Sequence, residues 1–214
     1  MSGDDAAMLG ELLCARLCHD LAGAIGAVGT GVELLSEDGD GDGQSFAAEA
    51  LSLLAASAVA AVSRLKFLRA ALGNAGGAVS TDQLRQLIAD FLRSQMDGPG
   101  ALRLDWKGAG RSDWSGDEAK LVLNIIMIAR DCLPRGGVVT VEAPSKGASL
   151  PLVTAQGACA TEVEAIKALQ ATTVTGLKPR GAQGYYTRLL AGRLGLSISY
   201  EDSHGQVQFV TTKN

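Results

Sequence analysis

Two adjacent residues near the N-terminus, His19 and Asp20, have side chains that can support nucleophilic chemistry at neutral pH. Neutral imidazole is a good nucleophile near pH 7, and a neighbouring carboxylate can accept its N–H hydrogen bond and fix the ring tautomer. In a helix, His19 lies about 200° around the axis from Leu17, so it faces away from the apolar stripe that contains Leu17. A surface histidine beside a solvated carboxylate is the alternative interpretation.

The helix face that carries His19 consists almost entirely of small residues. They are Ala15, Ala22, Gly23, Gly26 and Thr30. A glycine inside a helix costs up to about 1 kcal/mol relative to alanine, so we expect a contact that offsets this cost. Close approach of another molecule at Ala22, Gly23 and Gly26 would supply it on this face, and tight packing within the chain would supply it at Gly31.

Two long helices must position this face. Apolar residues at alternating spacings of four and three predict one helix over about 6–35 and another over about 45–72. Their short connection predicts an antiparallel hairpin. A single hairpin leaves half of each apolar stripe exposed, so we expect a homodimer in which two hairpins form a four-helix bundle.

The connection between the helices has the ligand spacing of a calcium-binding loop, from Asp38 to Glu49. Ser45 occupies a position that is normally aliphatic, and the sequence offers no second loop to pair with, so calcium binding is an open alternative that these features disfavour. Cys14, Cys18 and His19 lack a fourth ligand and do not share one helix face, so we predict no metal site there.

A glycine-rich segment, 73–80, predicts the boundary between a first domain, 1–74, and a second, 80–214. The second domain has the pattern helix, strand, helix, strand, strand, helix, helix, strand, strand. This order fits an α+β fold with an antiparallel-rich sheet and helices on one face. The predicted elements after the Thr81 helix are 101–107, 117–133, 137–143, 150–155, 161–171, 184–194, 196–201 and 206–212.

Composition excludes several classes of function. The chain has 214 residues, is 47% hydrophobic and carries a formal net charge of −4, so it has no basic excess for binding nucleic acid. The N-terminus lacks a signal-peptide pattern, and no apolar run approaches the roughly 18 residues of a membrane span. The spacing of Cys14 and Cys18 suits a reducing compartment. We therefore expect a cytoplasmic protein that binds neither nucleic acid nor a membrane.

Two segments of the second domain resemble the ATP-binding domain of bacterial sensor histidine kinases. Residues 121–140, with the sequence LVLNIIMIARDCLPRGGVVT, are similar to the asparagine-box helix and the following strand. Residues 181–195, with the sequence GAQGYYTRLLAGRLG, are similar to the glycine-box helix. The resemblance implies a C-terminal α/β sandwich of the histidine-kinase ATPase (GHKL or Bergerat) type behind the dimerising hairpin.

The chain departs from the kinase pattern where nucleotide would bind. Ile128 replaces the second asparagine, which would hold magnesium and nucleotide. The segment 156–160, Gln-Gly-Ala-Cys-Ala, has no acidic residue where the kinases have an Asp-x-Gly-x-Gly loop, and the lid between 171 and 181 is short. These losses imply that the chain itself binds neither ATP nor magnesium.

A kinase-like fold without a kinase site resembles the histidine phosphotransferases of the ChpT family, which act in a cell-cycle phosphorelay. The first helix is similar to that family's phosphorylation helix through LCHDL at 17–21, IGAV at 25–28 and GVELL at 31–35. Ala24 stands where the family usually has a proline.

The resemblance implies that His19 accepts a phosphoryl group from the receiver domain of a hybrid kinase that resembles CckA. His19 would then pass it to response regulators that resemble CtrA and CpdR, with magnesium supplied by the receiver. A divergent ATP-dependent sensor kinase and a non-catalytic receiver-binding scaffold are the alternatives.

The same resemblance suggests roles for three further residues. Asp20 would assist His19 as the second member of a catalytic pair. Arg16, one helical turn before His19, would steady phosphate charge or meet an acidic receiver, although an exposed arginine requires no such role. If the hairpin turns near Gly41, residues 62–67 reach the level of His19, so we assign Arg64 to the partner-binding surface as well.

Overall fold

The structure is a computed structural model that describes residues 2–37, 44–74, 76–95, 100–144, 147–160, 163–203 and 205–214. Half of the candidate calcium loop, 38–43, lies outside the described residues, so that alternative stays open.

The N-terminal part is the expected helical hairpin, formed by α1 (Gly3–Glu37) and α2 (Gln44–Leu72). At the contact between them, a Cβ on Gly31 would lie 3.2 Å from Leu54 Cβ, so glycine does permit tight packing at this position. Helix α2 also packs against the C-terminal part. Phe67 is buried and stacks on Phe91 of that part, whereas Leu65 is 52% exposed.

The C-terminal part contains the four helices and five strands in the expected order, with two very short strands in addition. The elements are β1 (Val79–Ser80), α3 (Thr81–Arg93), β2 (Leu102–Trp106), β3 (Asp113–Trp114), α4 (Gly116–Asp131), β4 (Gly137–Glu142), β5 (Leu152–Gly157), α5 (Glu164–Ala168), α6 (Pro179–Arg193), β6 (Leu196–Ser203) and β7 (Gln206–Lys213). Helix α5 is shorter than predicted. Helix α6 begins earlier, with Pro179 in its first turn, where the fixed φ of proline suits a helix start.

Local sequence explains where α3 and α4 begin. The Ser80 side chain accepts a hydrogen bond from the backbone N–H of Gln83, whose side chain accepts one from the backbone N–H of Ser80. Ser115 and Glu118 form the same capping box at the start of α4. Ser80, and not the expected Thr81, is therefore the N-cap of α3.

The main sheet has the strand order β2-β4-β5-β7-β6. Only β2 and β4 run parallel, and the remaining neighbours are antiparallel, so the sheet is antiparallel-rich as predicted. Helix α4 is buried along nearly its whole length, from Ala119 to Ala129. It therefore lies at the centre of the α+β fold.

One hydrophobic cluster connects the hairpin to the C-terminal part. Phe67, Leu68 and Ala71 of α2 belong to the same buried cluster as the core of α3, α4 and the sheet. A second cluster joins Leu9 of α1 to Tyr185 of α6. The domain boundary at 74–80 stays a prediction, and packing across it is extensive.

Helices α1 and α2 are also long and apolar enough, over 3–36 and 47–72, to cross a membrane by length and composition. From the sequence we expected no apolar run of that length, but the mean hydropathy over each of these helices is high. A membrane-spanning helix and a hairpin helix that packs one face against a protein core can have the same length and composition. In the most apolar stretch of each of these helices, only 17% of the residues are buried. Side chains such as Ile25 and Val59 are therefore exposed.

Candidate functional site

His19 projects from α1 with its side chain 69% exposed, as expected for a residue on the outer face of the hairpin. Its Nδ1 atom lies 3.2 Å from Oδ1 of Asp20. The carboxylate is not solvated, because the Asp20 side chain is only 4% exposed. The predicted contact between the two residues is therefore present, and the alternative of a solvated helix carboxylate is wrong.

The other carboxylate oxygen of Asp20 accepts two hydrogen bonds from arginines. Arg16 Nε donates to Oδ2 over 2.9 Å, and Arg130 Nη2 donates to the same atom over 2.9 Å. Arg16 lies one turn earlier on α1, whereas Arg130 lies in the last turn of α4. The helix that carries His19 is thus joined to the C-terminal part directly below the imidazole.

A second carboxylate, Asp131, completes the arrangement. Arg16 Nη1 and Nη2 donate to its two oxygens over 2.8 and 3.0 Å, and Arg130 Nη1 lies 3.1 Å from Oδ1. We call Arg16, Asp20, Arg130 and Asp131 the ion cluster. It contains two positive and two negative charges, and bidentate arginine–carboxylate pairing of this kind fixes orientation as well as distance.

The expectation that Arg16 lies on the partner-binding surface is wrong in position, because its side chain is only 1% exposed. All three nitrogens of its guanidinium group donate hydrogen bonds, Nε to Asp20 and the two Nη atoms to Asp131. A buried arginine is tolerated only when it is paired in this way. Arg16 therefore acts inside the protein.

Electrostatics keep the ion cluster charged. Burial alone would raise the pKa of Asp20, but the charges of Arg130 and Arg16 and the hydrogen bonds from Arg16 and His19 outweigh it and hold that pKa below its usual value. Burial would lower the pKa of Arg16, but Asp131 and Asp20 raise it instead. Asp20 therefore stays ionised beside His19.

Arg64 lies at the level of His19, as the hairpin geometry predicted, and is half-buried. Its Nη1 donates to the main-chain oxygen of Asp20 over 3.3 Å. Its Nε donates to the carbonyl of Ser94 over 3.0 Å, and Nη2 donates to the carbonyls of Ser94 and Gln95. Burial, followed by the nearby charge of Arg130, lowers the pKa of Arg64. Arg64 thus joins α1 and α2 to the end of α3.

The small residues around His19 form an open surface. Ala22, Gly23 and Gly26 are exposed. A Cβ added to Gly26 would meet no atom of the described residues within 4 Å, and one added to Gly23 would lie 3.9 Å from Arg64 Nη1. Within the described part of the chain, packing therefore gives no reason for glycine at either position.

The segments that resemble nucleotide-binding motifs pack against each other. Asn124 is fully buried, and its Nδ2 donates to the carbonyls of Ala71 and Lys120 over 2.7 Å each. Gln183 of α6 donates to Asn124 Oδ1. We call Asn124 and Gln183 the amide cluster.

Ile128, one turn after Asn124, is also fully buried. A Cβ on Gly184 would lie 1.9 Å from the carbonyl oxygen of Ala165, so α6 packs directly against α5. The side chains of Asn124 and Ile128 therefore lie inside the protein, in contacts within the chain.

Across the described ranges, no group of three or more His, Cys, Asp or Glu side chains has the arrangement of a metal site. The sequence analysis missed Arg130 and Asp131 as site residues. Their signal is an adjacent pair of opposite charges that ends an otherwise apolar helix. Their partners lie 110 and 115 residues earlier, so sequence spacing could not identify them.

The fold is an α+β fold, in which a helical hairpin with an exposed histidine packs against a mixed sheet and its helices. The family model for the histidine phosphotransferase C-terminal domain matches residues 81–206. The chain belongs to this histidine phosphotransferase family.

Two similar proteins match along nearly their whole lengths. Protein phosphotransferase ChpT of Brucella abortus (strain 2308) is 30% identical over 207 residues, which cover 94% of this chain and 93% of that protein. A bacterial phosphotransferase of known structure is 30% identical and aligns with a TM-score of 0.76 over 99% of this chain and 97% of the other. A histidine kinase domain from Erythrobacter litoralis EL346 aligns more distantly, at 13% identity and a TM-score of 0.45, over 92% and 94% of the two chains.

Proposed function

We propose that this phosphotransferase carries the phosphoryl group of a phosphorelay on His19. The phosphoryl group would come from the aspartyl phosphate of one receiver domain and pass to the aspartate of another. The observation that carries the proposal is the exposed imidazole of His19, whose Nδ1 contacts the buried, ionised Asp20. Membership of the histidine phosphotransferase family supports the same activity.

The geometry suggests which nitrogen reacts. A carboxylate accepts hydrogen bonds only, so the contact with Asp20 places the imidazole proton on Nδ1 and leaves the lone pair on Nε2. Nε2 attacks phosphorus, the bond between phosphorus and the donor carboxylate oxygen breaks, and the carboxylate leaves with the electron pair. The ring becomes positively charged, and Asp20 stabilises that charge. Attack by the acceptor aspartate on the phosphohistidine reverses these steps.

The surface around His19 is suited to a visiting domain. Ala22, Gly23 and Gly26 leave room for another backbone close to the imidazole. Arg64 lies at the edge of this surface, where its charge would favour an acidic partner. The magnesium ion that receiver chemistry requires would be bound by the receiver.

The proposed activity does not use ATP. Asn124 donates to the carbonyls of Ala71 and Lys120 and accepts a hydrogen bond from Gln183. The apolar side chain of Ile128 has no atom that could act as a ligand. Binding of Mg·ATP with ordinary kinase affinity, or its use to label His19, would instead support the alternative of a divergent sensor kinase.

The partners follow from the resemblance and from the similar protein named ChpT. We propose a hybrid-kinase receiver like that of CckA as donor, and response regulators like CtrA and CpdR as acceptors, in the cytoplasm. A protein that binds these receivers without accepting phosphate would be the scaffold of the other alternative.

We also propose that the chain is a homodimer with a four-helix bundle. Large apolar side chains remain exposed on both helices of the hairpin, among them Ile25, Val32, Val62 and Leu65. Exposed apolar area of this kind usually marks an interface. A molar mass in solution equal to one chain, measured by light scattering, would contradict the dimer.

The test of the function is phosphotransfer in vitro. A receiver domain is labelled with radioactive phosphate, purified from its kinase, and mixed with wild-type protein or with His19→Ala. We expect label on the wild type and none on the variant. Equal labelling of both proteins, or no labelling of a folded wild type by any receiver offered, contradicts the proposal.

A further inference from the structure

We propose that Arg130 and Asp131, at the C-terminal end of α4, are positioning residues for His19, so that the C-terminal part of the chain is required for histidine reactivity. The proposal rests on the function proposed for His19. It concerns what orients the imidazole, which neither the exposure of His19 nor the presence of Asp20 explains.

Asp20 needs external support to act on the imidazole. The terminal torsion of an aspartate is broad, so a carboxylate held at one oxygen rotates readily. Here Oδ1 faces His19 Nδ1 at 3.2 Å, while Oδ2 is held at 2.9 Å by Arg16 on one side and Arg130 on the other. Two donors on Oδ2 fix the direction of Oδ1.

The hairpin alone cannot provide this support. Arg16 and Asp20 form an i,i+4 pair on α1, and such pairs are weak and mobile when exposed to water. Here Asp131 binds both terminal nitrogens of Arg16, and the side chains of Arg16 and Asp20 are only 1% and 4% exposed. The bonds from Asp131 to Arg16 and from Arg130 to Asp20 both come from the C-terminal part.

Arg130 is itself held in place by several elements. Its guanidinium carbon lies 5.8 Å from the ring centroid of Phe91, which stacks on Phe67 of α2. Its Nη1 lies 3.1 Å from Asp131 Oδ1. Within the described part of the chain, Arg130 Nε is buried without a hydrogen-bond partner, so the terminal nitrogens alone fix the guanidinium. Helices α2, α3 and α4 therefore determine together where Asp20 points.

The charge balance of the ion cluster supports the same role. The net charge of two arginines and two aspartates is zero. The cluster can therefore remain buried below a histidine that becomes positively charged during transfer. The Arg130 side chain is only 15% exposed, which leaves it little access to a docked receiver. A change at Arg130 should accordingly affect the transfer step and leave receiver affinity unchanged.

The experiment compares full-length wild type with Arg130→Met, which keeps the length of the side chain over Phe91 but removes the charge. The matched control is Arg103→Met, which removes an exposed arginine from β2. Nitrogen-15 NMR of the imidazole measures the fraction of His19 that carries its proton on Nδ1. Single-turnover transfer from a phosphorylated receiver measures the rate, and titration with the same receiver measures Kd.

We expect Arg130→Met to lower the Nδ1-protonated fraction and to slow transfer by about tenfold to a hundredfold, the range found when an outer residue orients a reacting group. Kd should not change, Arg130→Lys should recover part of the rate, and Arg103→Met should behave as wild type. A folded Arg130→Met protein with the wild-type tautomer and the wild-type rate overturns the proposal.

A double-mutant cycle separates positioning from a general structural effect. If Arg130 acts through Asp20, Arg130→Met should change the rate little in an Asp20→Asn background. An equal loss in both backgrounds contradicts action through Asp20. Should circular dichroism show that Arg130→Met is unfolded, Asp131→Asn of nearly equal volume provides the same comparison.

The two proposals can fail separately. If no receiver labels wild-type His19, the proposed function fails while the tautomer measurement still tests the positioning. If His19 is labelled but the Arg130 and Asp131 variants keep both the tautomer and the rate, only the positioning proposal fails.

Discussion

Helix α4 carries two buried polar clusters that have opposite relations to the solvent. At its C-terminal end, Arg130 and Asp131 belong to the ion cluster, which touches the exposed His19 through Asp20. In its middle, Asn124 belongs to the amide cluster, which is closed on all sides by contacts with α2 and α6. The ion cluster therefore reaches the protein surface through its contact with His19, whereas the amide cluster is enclosed within the protein.

The difference follows from the kinds of groups involved. Buried charges must be paired, and their pairing fixes directions over several ångströms, so an ion cluster can orient a reactive side chain. The amides of Asn124 and Gln183 hydrogen-bond to each other over a shorter range, and Gln183 Oε1 is buried without a hydrogen-bond partner among the described residues. In the segment that resembles a nucleotide-binding helix, the charged end therefore contacts the residues around His19, whereas the asparagine packs inside the protein.

The largest effect should come from opening the ion cluster. Arg16→Met leaves Asp20 and Asp131 buried with one cation between them, and the free energy of unfolding should fall by about 3–5 kcal/mol. Chemical denaturation at neutral pH measures it, with exposed Arg103→Met as the control, expected within about 0.5 kcal/mol of wild type. Equal stability of the two variants would show that the cluster does not join α1 to α4.

The closed character of the amide cluster can be tested at Ile128. Ile128→Asn restores the residue type of the kinase motif but buries an amide without a partner, so we expect a loss of about 1–3 kcal/mol and no gain of ATP binding by calorimetry. Ile128→Val, the packing control, should lose about 0.5–1.5 kcal/mol. An Asn variant that is stable and binds Mg·ATP would mean that packing does not close the site.

Acid should weaken the ion cluster before the amide cluster. The pKa of Asp20 is lowered on folding, so its stabilisation is complete above its ordinary pKa of 3.8 and is lost as pH falls through the lower folded value. The free energy of unfolding should therefore fall with pH below about 4 in the wild type and less steeply in Asp20→Asn. Exposed Asp82→Asn is the control, and an unchanged slope in Asp20→Asn would contradict the assignment.

The smallest expected effect concerns the open surface beside His19. Gly26→Ala should raise the free energy of unfolding by about 0.5–1 kcal/mol, because alanine favours the helix and a Cβ meets open space there. Gly10→Ala, about 180° around α1 from His19 and equally open, should stabilise the protein to a similar extent. Only Gly26→Ala should slow transfer from a receiver. A wild-type rate in Gly26→Ala would show that no partner backbone approaches this glycine.

Periodicity and local motifs predicted much of the fold. The spacing of apolar residues located both long helices, and the contact between His19 and Asp20 follows from their adjacency on α1. The two-residue strands β1 and β3 were missed because they are too short to show alternation. The burial of Phe67 was not predicted, because α2 packs on the C-terminal part as well as on α1.

The interior of the site could not be predicted because it depends on contacts between distant segments. Arg16 is polar and lies beside a histidine on the outer face of α1, which suggested exposure. Its burial arises from Asp131, which lies 115 residues later and reaches it only after α4 has packed on the sheet. The role of Arg130 could not be predicted for the same reason, because its partner Asp20 lies 110 residues earlier in the chain.

The most direct test of the account is to locate the phosphate in the labelled protein. After transfer from a phosphorylated receiver, phosphorus-31 NMR and mass spectrometry of peptides under alkaline conditions identify the modified atom. The account predicts a phosphoryl group on Nε2 of His19, because Nδ1 is directed at Asp20. Phosphate on another residue, or on Nδ1 of His19, would contradict it.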